Sequence, residues 1–437
     1  MSIYDSEIWH LLSERIDVHV KQLLVEQPRC MPNEETFRQL VEVAFDASLL
    51  SEEKRQPKFR IIFCSPNELA DTYENIYFNR SIRLIQLDTG RTFEASELNR
   101  IAPAADLTRS LICVYFDEDK NFLQIWGLLD MGKNWWQFIQ HETEGGTPPP
   151  NFLCIASTRP GELSFSLQGD ILFSVNKGIM SPPSSDNPIW VGPISIFLAA
   201  SRKSLYKQVL KELGTEKWYE GDDDYPLRYY NFFLERILYN VRNSAHGGTI
   251  IIVPEEFEFD DPRLTDRVRL KYTTKFDCAW DCLFRSLVNE SRYYDLHSSL
   301  CDDEQECNTD VFKQYVRLAT EKEHLDEELQ DIAKCMAALT NVDGAVVMTT
   351  RFNVLGFSGE IKDVSPTLCN VVDALRPRRE IPIETFGTRH RSAFRFCSNL
   401  EDSVAFIVSA DGGVKAAKRE GRDVLLWPDI NRGAMGL

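Results

Sequence analysis

The sequence predicts an α/β (α+β) protein of two units, a sheet-rich α+β unit followed by one in which helices flank a central sheet. Three observations lead there. The chain has 437 residues, 43% hydrophobic and 27% charged, a globular composition with room for two or three cores at roughly 150 residues each. Between 81 and 176, short β-favouring runs alternate with turns. Beyond 226, amphipathic helix patterns alternate with short apolar runs, the pattern of strands covered by helices.

The elements follow in order. Ile8, Leu11, Leu12, Ile16 and Val20 recur at helical spacing, and a second helix is expected over 34–49, after the Pro32-Asn33 breaker. A strand over 59–64 comes next. The sheet-rich stretch offers strands at 81–86, 111–116, 122–126, 152–156, 163–167 and 171–175, rich in β-branched and aromatic residues. The Pro- and Gly-rich segments 144–150 and 181–188 read as loops. At 220–226 an acidic run meets a proline, which marks the boundary between units 1–220 and 226–430.

In the second unit a helix over 229–243 carries Phe232, Phe233, Ile237, Leu238 and Val241 on one side. His246-Gly247-Gly248 stops it, and a buried strand over 249–253 follows. A polar, acidic excursion fills 255–270. Helices are expected at about 275–291 and 309–339, then a strand at 345–349 with a partner at 354–358. Two last strands, 404–409 and 414–418, are joined by a turn at 410–413.

Charge and cysteine content exclude several classes. Lys and Arg number 49 against 67 Asp and Glu, a formal net charge of −18. Such a chain is unsuited to sequence-independent binding of nucleic acid or of an anionic membrane. No apolar run reaches the roughly 18 residues of a membrane span, and residues 1–10 lack a signal peptide's basic flank and apolar stretch. The 11 cysteines, an odd number, suit reduced thiols. A cytoplasmic protein is expected.

Three short pieces near the C-terminus carry chemistry. Asp343-Gly344-Ala345 stands between a helix and a buried strand. There the carboxylate can meet a metal or a hydroxyl, and the glycine admits close approach to the backbone. Alone, the triplet also fits a plain turn. Gly387-Thr388-Arg389-His390-Arg391 opens a helix, with Thr388 placed to cap it. A helix N-terminus with two arginines suits phosphate, though alone it also fits a solvated basic face. From 376 to 422, ten Lys/Arg stand against six Asp/Glu, a local charge of +4 within −18. Ser409-Ala410-Asp411 lies at a strand end.

In this order and spacing, the three pieces resemble the diadenylate cyclase domain. That domain carries Asp-Gly-Ala after a helix, then Gly-(Thr/Ala)-Arg-His-Arg opening a helix, then a strand ending in a Ser-Glu-Glu-like turn. The resemblance covers about 226–430, with an insertion at about 255–310. The N-terminal part, about 30–200, resembles the sensor module (DACNV-like) found ahead of this cyclase domain in some bacteria, through Met31-Pro-Asn-Glu-Glu-Thr-Phe-Arg-Gln-Leu40 and Leu123-Gln-Ile-Trp-Gly127.

The resemblance implies a central mixed sheet flanked by helices and a nucleotidyltransferase that joins two ATP into cyclic di-AMP and two pyrophosphates. Asp343, Arg389, His390 and Arg391 would be catalytic, with Asp343 and His390 near Mg²⁺ or Mn²⁺. Gly344, Ala345, Gly356, Thr388, Ser392 and Ser409 would contact ATP. Two cyclase domains would meet face to face in a homo-oligomer, and the N-terminal unit would answer to a small-molecule or protein ligand that the sequence leaves unnamed. Two departures stand out. Ser409-Ala410-Asp411 replaces Ser-Glu-Glu, and Val342 stands where some branches carry a metal-binding histidine. They leave open a catalytically silent nucleotide-binding sensor of the same fold. Cys278, Cys282, His297, Cys301 and Cys307 invite a zinc reading, but their spacing is unlike compact zinc knuckles, and reduced thiols are preferred.

Overall fold

The computed structural model describes residues 6–23, 28, 30–51, 58–73, 82–107, 109–132, 151–176, 179–181, 187–218, 224–244, 246–302, 309–362, 370–375, 380–409, 413–428 and 430. It is a mixed α/β chain that divides into two compact units, 1–185 and 186–430. The loop expected at 144–150, most of those at 181–188 and 220–226, and the turn at 410–412 lie outside the described residues.

The first unit is built on a mixed eight-stranded sheet. Its strands are β1 (Phe59–Phe63), β2 (Arg83–Thr92), β3 (Ser110–Asp117), β4 (Phe122–Asp130), β5 (Cys154–Ser157), β6 (Glu162–Leu167), β7 (Asp170–Asn176) and β8 (Ile179–Ser181), in the order β2-β4-β3-β1-β5-β6-β7-β8. Only β1 and β3 pair in parallel. Helix Glu34–Leu49 forms where expected, and Asn33 Oδ1 accepts from the Thr36 N–H at 2.8 Å. Its Phe37, Leu40, Val41 and Ala44 share a core with Ile8, Leu12 and Ile16 of helix Ser6–Leu23 and with Phe59, Ile61 and Phe63. Ile62, Cys64, Cys113 and Trp126 form a second core on the other face.

In the second unit a mixed sheet carries β9 (Gly248–Val253), β10 (Val268–Phe276), β11 (Ala345–Thr349), β12 (Val354–Ile361), β13 (Asn370–Asp373), β14 (Val404–Val408), β15 (Val414–Glu420) and β16 (Asp423–Trp427). Their order is β10-β12-β11-β9-β14-β15-β16-β13. β9 and β11 run parallel, and β14 lies antiparallel on the other side of β9. Ile251, Val253, Val347, Ala405 and Ile407 pack with Ala393, Phe394, Phe396 and Cys397 of helix Thr388–Asn399. Ile250, Ile252, Val346, Met348 and Phe406 are equally buried. Both faces are therefore covered, which accounts for the uninterrupted apolar runs.

The division into units falls before helix Pro193–Leu213, not at 220–226. That helix is tied to the second unit: Ser201 Oγ bonds Thr350 Oγ1 at 2.7 Å and Arg202 Nη1 donates to Asn231 Oδ1 at 3.1 Å. Within the segment 255–310, β10 is an edge strand of the sheet itself. Among the described residues no helix is long and apolar enough to cross a membrane.

Candidate functional site

Strand register gathers the three sequence pieces. Ala345 pairs with Thr249, and Gly248 with Val408. β9 and β11 therefore begin at the end of the sheet where β14 stops, which sets Gly247, Gly344 and Ser409 along one margin with Asp343 beside them. A Cβ on Gly248 would collide with the Thr340 side chain, so the turn leading to Asp343 also closes on the start of β9. Ser409 N–H donates to Gly413 O at 2.8 Å and keeps the end of β14 in its hairpin.

Helix Thr388–Asn399 begins at this margin. Its N-cap is Gly387, not Thr388; Thr388 is the first helical residue and is exposed. Gly387 brings no side-chain acceptor, and the first bond of the helix runs from Arg391 N–H to Gly387 O at 3.2 Å. Among the described residues, no side chain caps the first-turn N–H groups. Arg389 Nη1 donates to Val408 O at 3.4 Å. Gly247, at φ 69°, makes room for it, since a Cβ there would stand 2.8 Å from Arg389 Nη1 and 2.5 Å from Val408 O. Neither Arg389 nor Arg391 is ion-paired with a carboxylate among the described residues. In so acidic a chain, two such cations beside helix N–H groups make a local anion-attracting field.

Asp343 is exposed, and its carboxylate has no partner among the described residues; its carbonyl accepts from Ser358 Oγ at 2.8 Å. Gly344 takes φ 114°, a conformation suited to glycine, in close contact with Ser358 and Gly359. Ala345 is buried as the first residue of β11.

Other expected residues sit differently. His390 turns its ring toward Phe386 and Phe394, with centroids at 5.5 and 6.3 Å. Ser392 Oγ is used within the helix, donating to Thr388 O at 2.9 Å. Gly356 is buried inside β12 opposite Val347, where a Cβ would stand 2.5 Å from Tyr272 O. The neighbouring strand therefore explains that glycine. Among the described residues no three His, Cys, Asp or Glu side chains are grouped to hold a metal. Cys282 is buried, with its Sγ 3.8 Å from Leu325 O, while Cys278 is exposed; the side chains of Cys301 and Cys307 lie outside the described residues.

Two residues of this margin were not singled out as functional by the sequence. Gly247 could have been found as a glycine directly before a buried strand. Ser358 left no such signal, because its place depends on strand register.

No curated protein matches the chain. Residues 26–130, within the first unit, match the family model described as the probable sensor domain DACNV.

Proposed function

We propose that the second unit is a diadenylate cyclase under the control of the N-terminal sensor domain. The observation that carries the reading is the margin itself: a carboxylate at 343 with no partner among the described residues, and the Arg389 guanidinium, seated against Gly247, at one end of one sheet. Carboxylate, cation and exposed helix N–H groups on a glycine-lined rim match the needs of a nucleoside triphosphate.

The residues divide the work. Arg389 and Arg391 neutralise the triphosphate, and the N–H groups of 388–390 donate hydrogen bonds to its oxygens. Gly247 and Gly344 let the nucleotide approach the main chain. Asp343 orients the 3′-hydroxyl and takes up its proton as the new bond to the other nucleotide's α-phosphorus forms and pyrophosphate leaves. Mg²⁺ or Mn²⁺ fits this donor set as an ion carried by the triphosphate, because such ions need only one or two protein carboxylates. When bound it would be held by Asp343 and would neutralise charge on the phosphates. With His390 turned toward Phe386 and Phe394, its part in this reading is to fix the first helical turn. Each protomer holds one ATP, so turnover needs two cyclase units related by a two-fold axis.

The test is incubation of the purified chain with ATP and Mg²⁺ or Mn²⁺, with products read by mass spectrometry. Cyclic di-AMP that disappears in D343N is expected. ATP binding with no product over a range of metals would favour the silent sensor that the Ser409-Ala410-Asp411 sequence leaves open. GTP in the same assay reports on base specificity.

A further inference from the structure

Between Ala345 and Val347, β12 carries one residue more than the strand beside it. Ala345 pairs with Gly359 and Val347 with Gly356, so two steps along β11 face three along β12. On its other edge β12 stays in step with β10: Leu270 pairs with Gly359, Tyr272 with Phe357 and Thr273 with Gly356. The extra residue is thus a one-sided β-bulge toward β11, a device that re-aims a strand locally.

Ser358 occupies the bulge at φ 55°, a left-handed conformation disfavoured for any residue with a Cβ. Its Oγ donates to Asp343 O at 2.8 Å. Gly344 follows at φ 114°, and a Cβ there would stand 2.6 Å from the Ser358 carbonyl carbon and 2.8 Å from Gly359 N. The turn bearing Asp343 therefore rests directly on the bulge. Main-chain contacts hold that turn, while the carboxylate has no partner among the described residues.

We infer that Ser358 is a positioning residue for Asp343: its hydroxyl, carried on a strained bulge, fixes the residue 343 carbonyl and so the direction in which the carboxylate meets a divalent cation accompanying a nucleoside triphosphate. The inference rests on the cyclase reading for the identity of that ligand. Loss of one hydrogen bond to the main chain lets the turn tilt, and a small misplacement of a reacting group is costly.

The experiment uses the full chain, S358G, S358A and D343N. S358A removes the hydroxyl and keeps the left-handed backbone, so it isolates the hydrogen bond; S358G removes the hydroxyl and relieves the strain as well. Mn²⁺ is titrated by electron paramagnetic resonance in the presence of a non-hydrolysable ATP analogue. Expected is Mn²⁺ held about tenfold more weakly by both serine variants, toward the D343N value. Affinity for the analogue without metal should stay unchanged. In turnover, kcat should fall about tenfold with KM for ATP little altered. Wild-type Mn²⁺ retention in a folded S358A overturns the inference. Wild type that binds Mn²⁺ and the analogue without forming product refutes the cyclase reading alone, and the Mn²⁺ comparison still decides Ser358. Wild type that binds neither overturns both.

Discussion

Replacing Glu235 by Gln tests whether a carboxyl group in the second unit stays protonated near neutral pH. Glu235 lies on helix Tyr225–Asn243, and its Oε1 accepts from Asn187 Nδ2 and Trp190 Nε1, both at 2.7 Å. Both donors are neutral. Burial pushes the carboxyl from an ordinary 4.5 up to about 7, against the opposing pull of the two hydrogen bonds. The sign follows. Below 4.5 the group is protonated folded or unfolded, and its stabilising contribution is complete. Between 4.5 and about 7 the folded state keeps a proton that the unfolded chain has released, so stability falls as pH rises. The full span corresponds to at most ~3 kcal/mol. Glu235 is partly open to solvent, which reduces the expected loss to about 1–2 kcal/mol. Glutamine keeps an acceptor for both donors and does not titrate. Unfolding by guanidinium, followed by circular dichroism from about pH 5 to about pH 8, should show E235Q gaining on the wild type as pH rises. A difference that is flat with pH, or that grows in the wild type's favour, would refute protonation of Glu235 in the folded state.

The remaining predictions concern the margin and its support. G247A forces a Cβ against Val408 O and Arg389 Nη1 at φ 69°; a loss of roughly 1–2 kcal/mol and a weaker grip on ATP are expected, from thermal melts and equilibrium binding. R389K keeps the charge but loses the planar fork, so ATP affinity should fall at least about tenfold with the melting temperature unchanged. Phe352 is fully buried, with ring centroids 4.7 Å from Tyr230 and 5.0 Å from Phe233; F352A should cost about 3–5 kcal/mol in denaturant unfolding.

What the sequence disclosed depends on how local each signal is. β9, β11 and β14 are buried on both faces and write themselves as continuous apolar runs. Glycines 247 and 344 are visible because they interrupt helix and strand at a junction. β10 is hard to see in the sequence because Arg269, Lys271 and Lys275 alternate with its apolar residues, as befits an edge strand exposed on one side, and its start falls in the polar excursion expected over 255–270. Helix Pro193–Leu213 was passed over because its buried stripe includes Ser195 and Ser201 beside Ile194, Leu198, Leu205 and Val209. Hydrogen bonding to Thr350, not apolarity, settles Ser201 in the interior. The arginines were found by charge, yet the sequence could not separate them from His390. Successive helical residues diverge by about 100°, which sends His390 toward Phe386 and Phe394 while Arg389 reaches Val408.

The margin is assembled from two kinds of control, and they respond differently to substitution. On the proposed cyclase reading, charge enters through Asp343, Arg389 and Arg391, whose side chains would carry the interaction with a triphosphate. Geometry enters through Gly247, Gly344 and Ser358, which offer no charge and act by letting main chains and one guanidinium come close. Changes in the first group should weaken binding in proportion to the charge removed and should be sensitive to salt. Changes in the second should alter turnover or metal retention at constant charge, with little salt dependence. A parallel pair of strands beside an antiparallel one is what permits this division, because it brings two strand starts and one strand end to the same rim. Were the glycine and serine variants to show the salt response of the arginine variants, the rim would be a diffuse basic patch and not a shaped site.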